Sequence, residues 1–225
     1  MSEIAVYVEG GGHTVHLQAE LRRGFDVLLR SEKESARRKR CSLKLVCCGG
    51  RQETYRAFKN EIAINPATVC VLLVDSETSL PAVPHERAQD AGLRRDHLQR
   101  REGTEGRGQG DGWDLSGVMP DRIHLMVQCM EAWVVADPEA LEAFYKQGFR
   151  KGRLPQRPNL EEEPKADVYA KLDSATENSA KGKYAKIRHA SQLLQRIDPE
   201  KVERRCPRFS VLRDWLSEQI GASAQ

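Results

Sequence analysis

The stretch IAVYVEGGG, residues 4–12, decides the fold of this 225-residue chain. Its first five residues are apolar and three of them are β-branched, which is typical of a buried strand. The three glycines that follow break the strand, and Thr14 then precedes an apolar stripe with helical spacing. We therefore predict a first strand over residues 4–8, with Glu9 at its carboxyl end, and a helix after the glycines.

The same alternation of strand and helix continues along the next part of the chain. Residues 43–48 (LKLVCC) are predicted to form a second strand, and a helical pattern follows until Pro66. Residues 69–74 (VCVLLV) are apolar throughout, as in a central strand covered on both faces. Strands joined by helices form right-handed crossovers. We therefore predict an α/β fold with a Rossmann-like parallel sheet and helices on both faces.

The sequence changes character after the third strand. Residues 78–118 contain prolines, many charges and the stretch GTEGRGQGDG at 103–112. This composition predicts a long, partly mobile excursion with a short helix around 85–101. A fourth apolar run at 122–129 then resumes the sheet.

The carboxyl-terminal part is predicted to be mainly helical. Asp137 followed by Pro138 has the form of a helix start, with the aspartate as cap. We assign residues 1–137 to the α/β domain and residues 138–225 to a helical extension packed on the same core. The predicted helices of this extension lie at 138–145, 166–174, 183–197 and 208–220.

The composition narrows the class of protein. Hydrophobic residues make up 39% and charged residues 31%, a balance typical of folded globular chains. No run approaches the roughly 18 apolar residues of a membrane span, and the first residues lack a basic leader. The six cysteines form no CxxC pair and no zinc-site spacing. We expect a cytoplasmic protein without a membrane partner.

Three carboxylates follow predicted strands. Glu9 follows the first strand, and Asp75 and Glu77 follow the third as DSE. Residues i and i+2 of an extended segment point to the same side, so Asp75 and Glu77 are expected to face one point that Glu9 also reaches. Converging carboxylates repel one another unless a cation lies among them, and an all-oxygen donor set favours Mg²⁺ or Mn²⁺. The alternative is a polar strand exit without chemistry.

This arrangement resembles the TOPRIM domain, in which a first strand ends in EG and a later strand ends in DxD or DxE. The domain is found in topoisomerases, bacterial primases and OLD-type nucleases. The resemblance implies that Glu9 acts as a general acid or base and that Asp75 and Glu77 hold Mg²⁺. The DxE in place of the commoner DxD leaves the ligand type unchanged and the fine coordination geometry open.

A closer resemblance covers nearly the whole chain. It rests on several segments of the sequence: VYVEGGG, CCGGR, VLLVDSE, HLMVQCMEAWVVAD, KGKYAKIRHASQLL and IDPEKV. These segments are similar to a bacterial TOPRIM-like family of unknown function whose members are often encoded beside AAA-type or ABC-type ATPases. The resemblance implies an ATPase partner in anti-phage defence. Relatives with this domain often assemble with partners, so we expect a complex, such as a homo-oligomer, rather than an isolated monomer.

Glu131 and Asp137 extend the acidic set. Glu131 follows the fourth apolar run, and OLD-type nucleases are thought to use two metals, which need more than three carboxylates. We therefore include Glu131 as a fourth candidate metal ligand. Asp137 is more simply explained as a helix cap.

Basic residues supply candidate phosphate contacts. Arg51 follows the second strand, on the same sheet edge as Glu9, where it is expected to hold a phosphate or to pair with the carboxylates. Lys165 is a single candidate of the same kind. The segment KGKYAKIRH adds a cluster, for which a solvated helix face is the alternative. Its candidate residues are Lys181, Lys183, Lys186, Arg188 and His189.

Two functions from different classes fit these residues. The first is a metal-dependent nuclease that cleaves DNA or RNA phosphodiesters, with Glu9, Asp75 and Glu77 as catalytic residues. The second is a TOPRIM-like adaptor that binds nucleic acid or an ATPase and carries out no chemistry. Tolerance of the Glu9→Ala and Asp75→Ala substitutions would distinguish the adaptor from the enzyme.

Overall fold

The computed structural model of the protein describes residues 2–100 and 111–223. The apolar runs of the sequence form four strands, namely β1 (Glu3–Val8), β2 (Ser42–Cys47), β3 (Val69–Asp75) and β4 (Ile123–Met126). The described helices are α1 (Val15–Leu28), α2 (Arg30–Arg38), α3 (Arg51–Ile64), α4 (Arg87–Arg100), α5 (Glu131–Val134), α6 (Pro138–Tyr145), α7 (Lys165–Thr176), α8 (Lys186–Leu194), α9 (Pro199–Arg205) and α10 (Pro207–Ala222).

The four strands form one parallel sheet in the order β2–β1–β3–β4. β1 therefore lies between β2 and β3, and Val8 at its end pairs with Cys47 on one side and Leu73 on the other. Since all strands run in the same direction, their carboxyl ends meet at one edge. The predicted Rossmann-like parallel sheet is confirmed.

Helices cover both faces of the sheet. Along β1, Ile4, Val6 and Val8 pack into one hydrophobic core, whereas Ala5 and Tyr7 pack into the other, which is the two-residue period of a strand. The first core also holds apolar residues of α1, α2 and α5–α10, and the second holds those of α3 and α4. The carboxyl-terminal helices thus share a core with the sheet. The boundary at residue 137 stays a prediction.

Several helix bounds differ from those expected from the sequence. The helix after the glycines is divided at Leu29, whose backbone (φ −103°, ψ 31°) leaves the helical region between α1 and α2. The short helix α5 was not predicted, because its four residues EAWV are too few to show an apolar stripe with helical spacing. Helix α9 was not predicted, although Asp198 caps it by accepting a hydrogen bond from the Glu200 amide.

The predicted excursion at 78–118 contains the helix that was expected near its middle, since α4 spans Arg87–Arg100. Residues 103–110 of its glycine-rich stretch lie outside the described residues. Residues 113–118 return to the second core through Trp113 and Leu115, both buried. Among the residues that the structure describes, no helix combines the length and the apolar character needed to cross a membrane.

Helices α1 and α8 cross at unusually short range. A Cβ on Gly24 of α1 would lie 2.9 Å from the Ser191 carbonyl and 3.0 Å from the Leu194 Cβ on α8. Glycine is therefore required for this close approach. The crossing fixes α8 against α1, and with it the position of Lys186 at the start of α8.

Candidate metal centre

The carboxyl edge of the sheet brings together the three carboxylates predicted from the sequence. β1 and β3 are neighbours, and the Glu9 amide continues their ladder by donating to the Leu73 carbonyl at 3.0 Å. One carboxylate oxygen from each of Glu9, Asp75 and Glu77 lies within 4.8 Å of the other two. The predicted convergence of these residues at one point is therefore present in the structure.

Glu77 reaches this point by a different backbone route from the one expected. The strand ends at Asp75, and Glu77 has a φ of 69°, so the segment is not extended there. Its amide donates to the Gln128 carbonyl at 2.9 Å, and the Ser76 amide donates to the Met126 carbonyl at 3.0 Å. These bonds to the end of β4 and to the chain just after it hold Glu77 in the left-handed conformation. Strand alternation correctly predicted that Glu77 lies on the same side as Asp75, but Glu77 reaches that side from a left-handed turn and not from an extended segment.

Asp75 is the buried member of the group, with 3% of its surface exposed. Its Oδ1 accepts a hydrogen bond from the Met130 amide at 2.9 Å. Burial first, and then the negative charge of Glu9, raises the pKa of Asp75 to about 7, while Lys186 and Lys165 act in the opposite direction. A bound cation would favour the ionised carboxylate, so cation binding here would be coupled to proton release.

Arg51 holds Glu9 in place. Glu9 Oε2 accepts hydrogen bonds from Arg51 Nη1 at 3.0 Å and from the Asp75 amide at 3.1 Å. The guanidinium of Arg51 is itself fixed by two 2.9 Å hydrogen bonds to Asp111 and lies 4.9 Å from the ring centre of Trp113. Arg51 thus pairs with a carboxylate, the second of the two roles expected from the sequence.

Two lysines from the carboxyl-terminal helices approach the carboxylates. Lys165 Nζ lies 2.8 and 2.7 Å from the two oxygens of Glu77 and 3.6 Å from Asp75 Oδ2. Lys186 Nζ lies 3.9 Å from the same Asp75 oxygen. Burial lowers the pKa of each lysine, but the neighbouring carboxylates outweigh it and the net pKa is raised. Both ammonium groups are therefore charged at neutral pH.

Each lysine is the first residue of its helix, α7 for Lys165 and α8 for Lys186. The Lys165 amide donates to the Gln128 side chain at 3.0 Å, which joins the start of α7 to the segment that also holds Glu77. The two ammonium groups therefore place positive charge beside the carboxylates.

Glu131 lies behind Lys186 and outside the group of three. It is fully buried, and its Oε1 accepts a hydrogen bond from the Tyr184 hydroxyl at 2.9 Å and lies 3.7 Å from Lys186 Nζ. Lys186 also donates to the Tyr169 hydroxyl at 2.9 Å. These contacts hold the ammonium group of Lys186 between Glu131 and Asp75. The role of Glu131 as a fourth metal ligand stays a prediction.

Asp137 caps α6, as its position before Pro138 indicated. Its Oδ1 accepts a hydrogen bond from the Ala140 amide at 3.2 Å and another from Lys201 Nζ at 2.6 Å. Its Oδ2 accepts one from the Asp198 amide at 3.0 Å. These contacts satisfy the carboxylate within the fold and give it a structural role.

The remaining candidate residues of the KGKYAKIRH cluster have other surroundings than the three carboxylates. Lys183 forms a 2.8 Å ion pair with Asp173. His189 is buried, and its Nδ1 lies 3.0 Å from the Tyr145 hydroxyl. Lys181 and Arg188 are exposed on the side of α8 that carries His189. Lys186 is therefore the member of the cluster that the described structure brings to the carboxylates.

A cleft of about 230 Å³ opens beside the carboxylates. Gly10 and Gly49 at its wall exchange backbone hydrogen bonds of 2.7 and 3.0 Å. Gly49 has a φ of 88°, and a Cβ there would lie 2.6 Å from the Gly12 carbonyl oxygen. The cleft is lined by Glu9, Asp75, Lys186, Ile187 and the glycines 10–12.

Sequence reasoning missed Asp111, Tyr169 and Tyr184. Asp111 lies beyond a glycine-rich stretch with no periodic pattern, so no sequence signal connected it with Arg51. Tyr184 stands inside the basic cluster, and the surrounding charges drew the interpretation toward phosphate binding. Its burial and its bond to Glu131 show that this part of the cluster faces the protein interior.

A family model described as a domain of unknown function, DUF4276, matches residues 8–217. The chain belongs to the DUF4276 family. No curated protein and no solved structure matches it. The DUF4276 match includes every residue of the candidate metal centre, from Glu9 after β1 to Lys186 on α8. The metal centre and the helices that complete it are thus parts of one family domain.

Proposed function

We propose that this protein is a Mg²⁺-dependent or Mn²⁺-dependent nuclease that hydrolyses phosphodiester bonds of DNA or RNA. The observation that supports the proposal most strongly is the group of Glu9, Asp75 and Glu77 at the carboxyl edge of a parallel sheet, with their oxygens within 4.8 Å of one another. Ligand sites of such sheets lie at this edge. The resemblance to TOPRIM proteins supports a phosphodiester as the substrate.

The donor set fits a hard divalent cation. Glu9, Asp75 and Glu77 offer oxygen alone, which suits Mg²⁺ and Mn²⁺ better than zinc or copper. The burial of Asp75 adds to this fit, because a buried carboxylate beside two others is poorly stabilised without a cation. These three residues would hold the ion, and a bound ion would polarise the phosphate as a Lewis acid.

The chain's own residues supply the remaining chemistry. Glu9 would take a proton from the attacking water, since both of its recorded hydrogen bonds are made by Oε2, from Arg51 and the Asp75 amide. Lys165 and Lys186 are charged and lie beside Asp75, where they would stabilise the negative charge that develops on the phosphate. Arg51 would keep the Glu9 carboxylate in position.

The further parts of the proposal rest on the family resemblance. An AAA-type or ABC-type ATPase would act as partner and control the nuclease in cytoplasmic anti-phage defence. Homo-oligomer formation is compatible with the same resemblance.

A non-catalytic adaptor is the second candidate, and one observation favours it. Each carboxylate of the group already has a cationic neighbour within the chain, namely Arg51 for Glu9, Lys165 for Glu77 and Lys186 for Asp75. Such balanced pairs also occur as purely structural networks. In that case the sheet edge would bind nucleic acid or an ATPase without cleaving it.

A cleavage assay distinguishes the two functions. The purified protein, alone and with a candidate AAA-type or ABC-type ATPase partner, is incubated with labelled single-stranded and double-stranded DNA and RNA in Mg²⁺ or Mn²⁺. Cleavage that is lost in both Glu9→Gln and Asp75→Asn supports the nuclease. Tight binding that survives both substitutions, without cleavage of any substrate, contradicts the nuclease and supports the adaptor.

A further inference from the structure

A second basic surface lies on the side of α8 that carries His189. A depression of about 250 Å³ is lined by Phe144, Lys181, Arg188, His189 and Gln192, and is called the Phe144 pocket below. Phe144 is a buried residue of α6, so the pocket has a fixed aromatic floor. His189 is also buried, and its contact with Tyr145 fixes a second wall.

Three cations border the Phe144 pocket. Lys181 Nζ lies 4.6 Å and the Arg196 guanidinium 5.2 Å from the centre of the Phe144 ring. Arg188 Nε lies 3.2 Å from His189 Nε2. Within residues 2–100 and 111–223, no ion pair with a carboxylate is recorded for any of these three cations. Cations gathered without a counter-charge repel one another and create a local potential that attracts anions.

The protonation of His189 agrees with a positive environment. Burial first, and then the charges of Arg188 and Lys181, lowers the pKa of the imidazole. His189 is therefore neutral at physiological pH and contributes shape and hydrogen bonding rather than charge. Lys181, Arg188 and Arg196 are exposed and are therefore accessible to an anion.

Helix α8 connects this pocket to the metal centre. Lys186 at its first turn lies beside Asp75, whereas Arg188 and Gln192 lie four residues apart on another side, and Arg196 follows just beyond the end of the helix. At a rise of about 1.5 Å per residue, α8 is roughly 12 Å long from Lys186 to Leu194. At about 3.4 Å per nucleotide along one strand, this length corresponds to three or four nucleotides.

We infer that the Phe144 pocket is a second phosphate-binding subsite, which holds the backbone of the nucleic-acid strand whose phosphodiester lies at the metal centre. The inference rests on the proposed function and names Arg196, Arg188 and Lys181 as the residues that track the strand. A strand leaving the cleft along α8 would meet these cations within a few nucleotides. Contacts of this kind are independent of base sequence and strongly dependent on salt.

The test compares two pairs of substitutions that remove the same charge. Arg188→Gln with Arg196→Gln changes the pocket, and Arg38→Gln with Arg56→Gln is the matched control. Arg38 and Arg56 are exposed, and Arg56 lies on α3, across the sheet from α8. Circular dichroism confirms that each pair folds, and Lys181→Gln serves as an independent second variant of the pocket.

Binding is measured by fluorescence anisotropy at several salt concentrations, in EDTA and in Ca²⁺. Labelled oligonucleotides of about four and about twenty nucleotides are compared. We expect the pocket pair to weaken binding of the long oligonucleotide by about tenfold and to lower the salt slope by about two, one for each lost phosphate contact. Lys181→Gln should lower the slope by about one, and the control pair should match the wild type.

The outcomes separate this inference from the proposed nuclease. Equal affinity and equal salt slope for the pocket pair and the control pair overturn the subsite, even where the wild type cleaves nucleic acid. Loss of binding in the pocket pair alone supports the subsite, even where the wild type cleaves nothing. Displacement of the long oligonucleotide by inorganic phosphate as effectively as by a second oligonucleotide shows a free-phosphate site and overturns the strand contact.

Discussion

The acidic and the lysine parts of the metal centre come from opposite ends of the chain. In the amino-terminal part, Glu9 follows β1, Asp75 ends β3 and Glu77 lies two residues beyond it. Lys165 and Lys186 begin helices α7 and α8 near the other end. The convergence of the carboxylates depends on the pairing of two neighbouring strands, β1 and β3. The positions of the lysines depend on how the helices pack together, including the close crossing of α1 and α8 at Gly24. In the proposed nuclease, the amino-terminal part would therefore supply the ligands of the cation, and the carboxyl-terminal part would supply the positive charges that stabilise the phosphate.

The largest expected effect is the loss of a carboxylate. Asp75→Asn keeps the size of the side chain and an oxygen that accepts the Met130 hydrogen bond, but it removes a metal ligand. Substitution of a residue that only supports a metal ligand typically lowers metal affinity or activity by about 10–100-fold. Because Asp75 would itself be a ligand, we expect cleavage to fall by roughly 10³-fold or more. Cleavage rates measured for Asp75→Asn and for Glu34→Gln, an exposed carboxylate on α2, provide the comparison. Equal rates for the two variants would remove Asp75 from the catalytic site.

Loss of a lysine should have opposite effects on cleavage and on metal affinity. Lys165→Met removes a charge that lies 3.6 Å from Asp75 and 2.7 Å from Glu77. We expect cleavage to fall by roughly 10²–10³-fold, as for other donors that stabilise a developing charge. The affinity for Mn²⁺ should rise, because the carboxylates lose a competing cation. A fall in Mn²⁺ affinity, measured by calorimetry, would instead show that Lys165 holds the carboxylate of Glu77 in position to bind the ion.

The dependence on pH provides a third test of the acidic part. Because the pKa of Asp75 is raised to about 7, protons compete with the metal below that pH. We expect the Mn²⁺ affinity to fall by about tenfold for each pH unit below 7 and to level off above it. An affinity that does not change between about pH 5.5 and about pH 8 would contradict this competition.

The same pKa has the opposite consequence for the metal-free protein. A carboxyl group whose pKa is higher in the folded state than in the unfolded state binds its proton more tightly when folded. The metal-free protein should therefore lose stability as the pH rises from about 4 to about 7, and Asp75→Asn should lose less. Denaturant unfolding in EDTA at several pH values measures this difference.

The smallest expected effect concerns Gly49, whose backbone pairs with that of Gly10, next to Glu9. Gly49→Ala would place a Cβ 2.6 Å from the Gly12 carbonyl oxygen at a positive φ, so we expect a loss of about 1–3 kcal/mol in the free energy of unfolding. Gly92→Ala is the matched control, because Gly92 lies in α4 with no atom within 4 Å of its Cβ position. That substitution should stabilise the protein by about 0.5–1 kcal/mol.

The sequence predicted the sheet and the acidic part of the site because both depend on local patterns. Apolar runs of strand length, each followed by a carboxylate or glycines, place Glu9 and Asp75 at strand ends once the strands are parallel. The position of Glu77 was right although its backbone route was not. A left-handed residue held by hydrogen bonds to Gln128 has no signature in the pattern of apolar and polar residues.

The contacts that complete the site could not be predicted in the same way. Arg51 lies 60 positions before Asp111 in the chain, and Tyr184 lies 53 positions after Glu131. Such pairs form only after the helices have packed, so spacing along the chain carries no information about them. The charge of a lysine does not predict its partner either, because Lys186 faces the carboxylates while Lys183, three positions earlier, pairs with Asp173.

The most direct test of the metal centre is a titration of the purified protein with Mn²⁺, followed by calorimetry and by electron paramagnetic resonance at about pH 8. The wild type and Glu34→Gln are predicted to bind Mn²⁺ with saturation, whereas Asp75→Asn and Glu77→Gln, shown to be folded, are predicted to lose most of that binding. Equal Mn²⁺ binding by all four proteins, or no saturable binding by the wild type, would contradict a metal site at Glu9, Asp75 and Glu77.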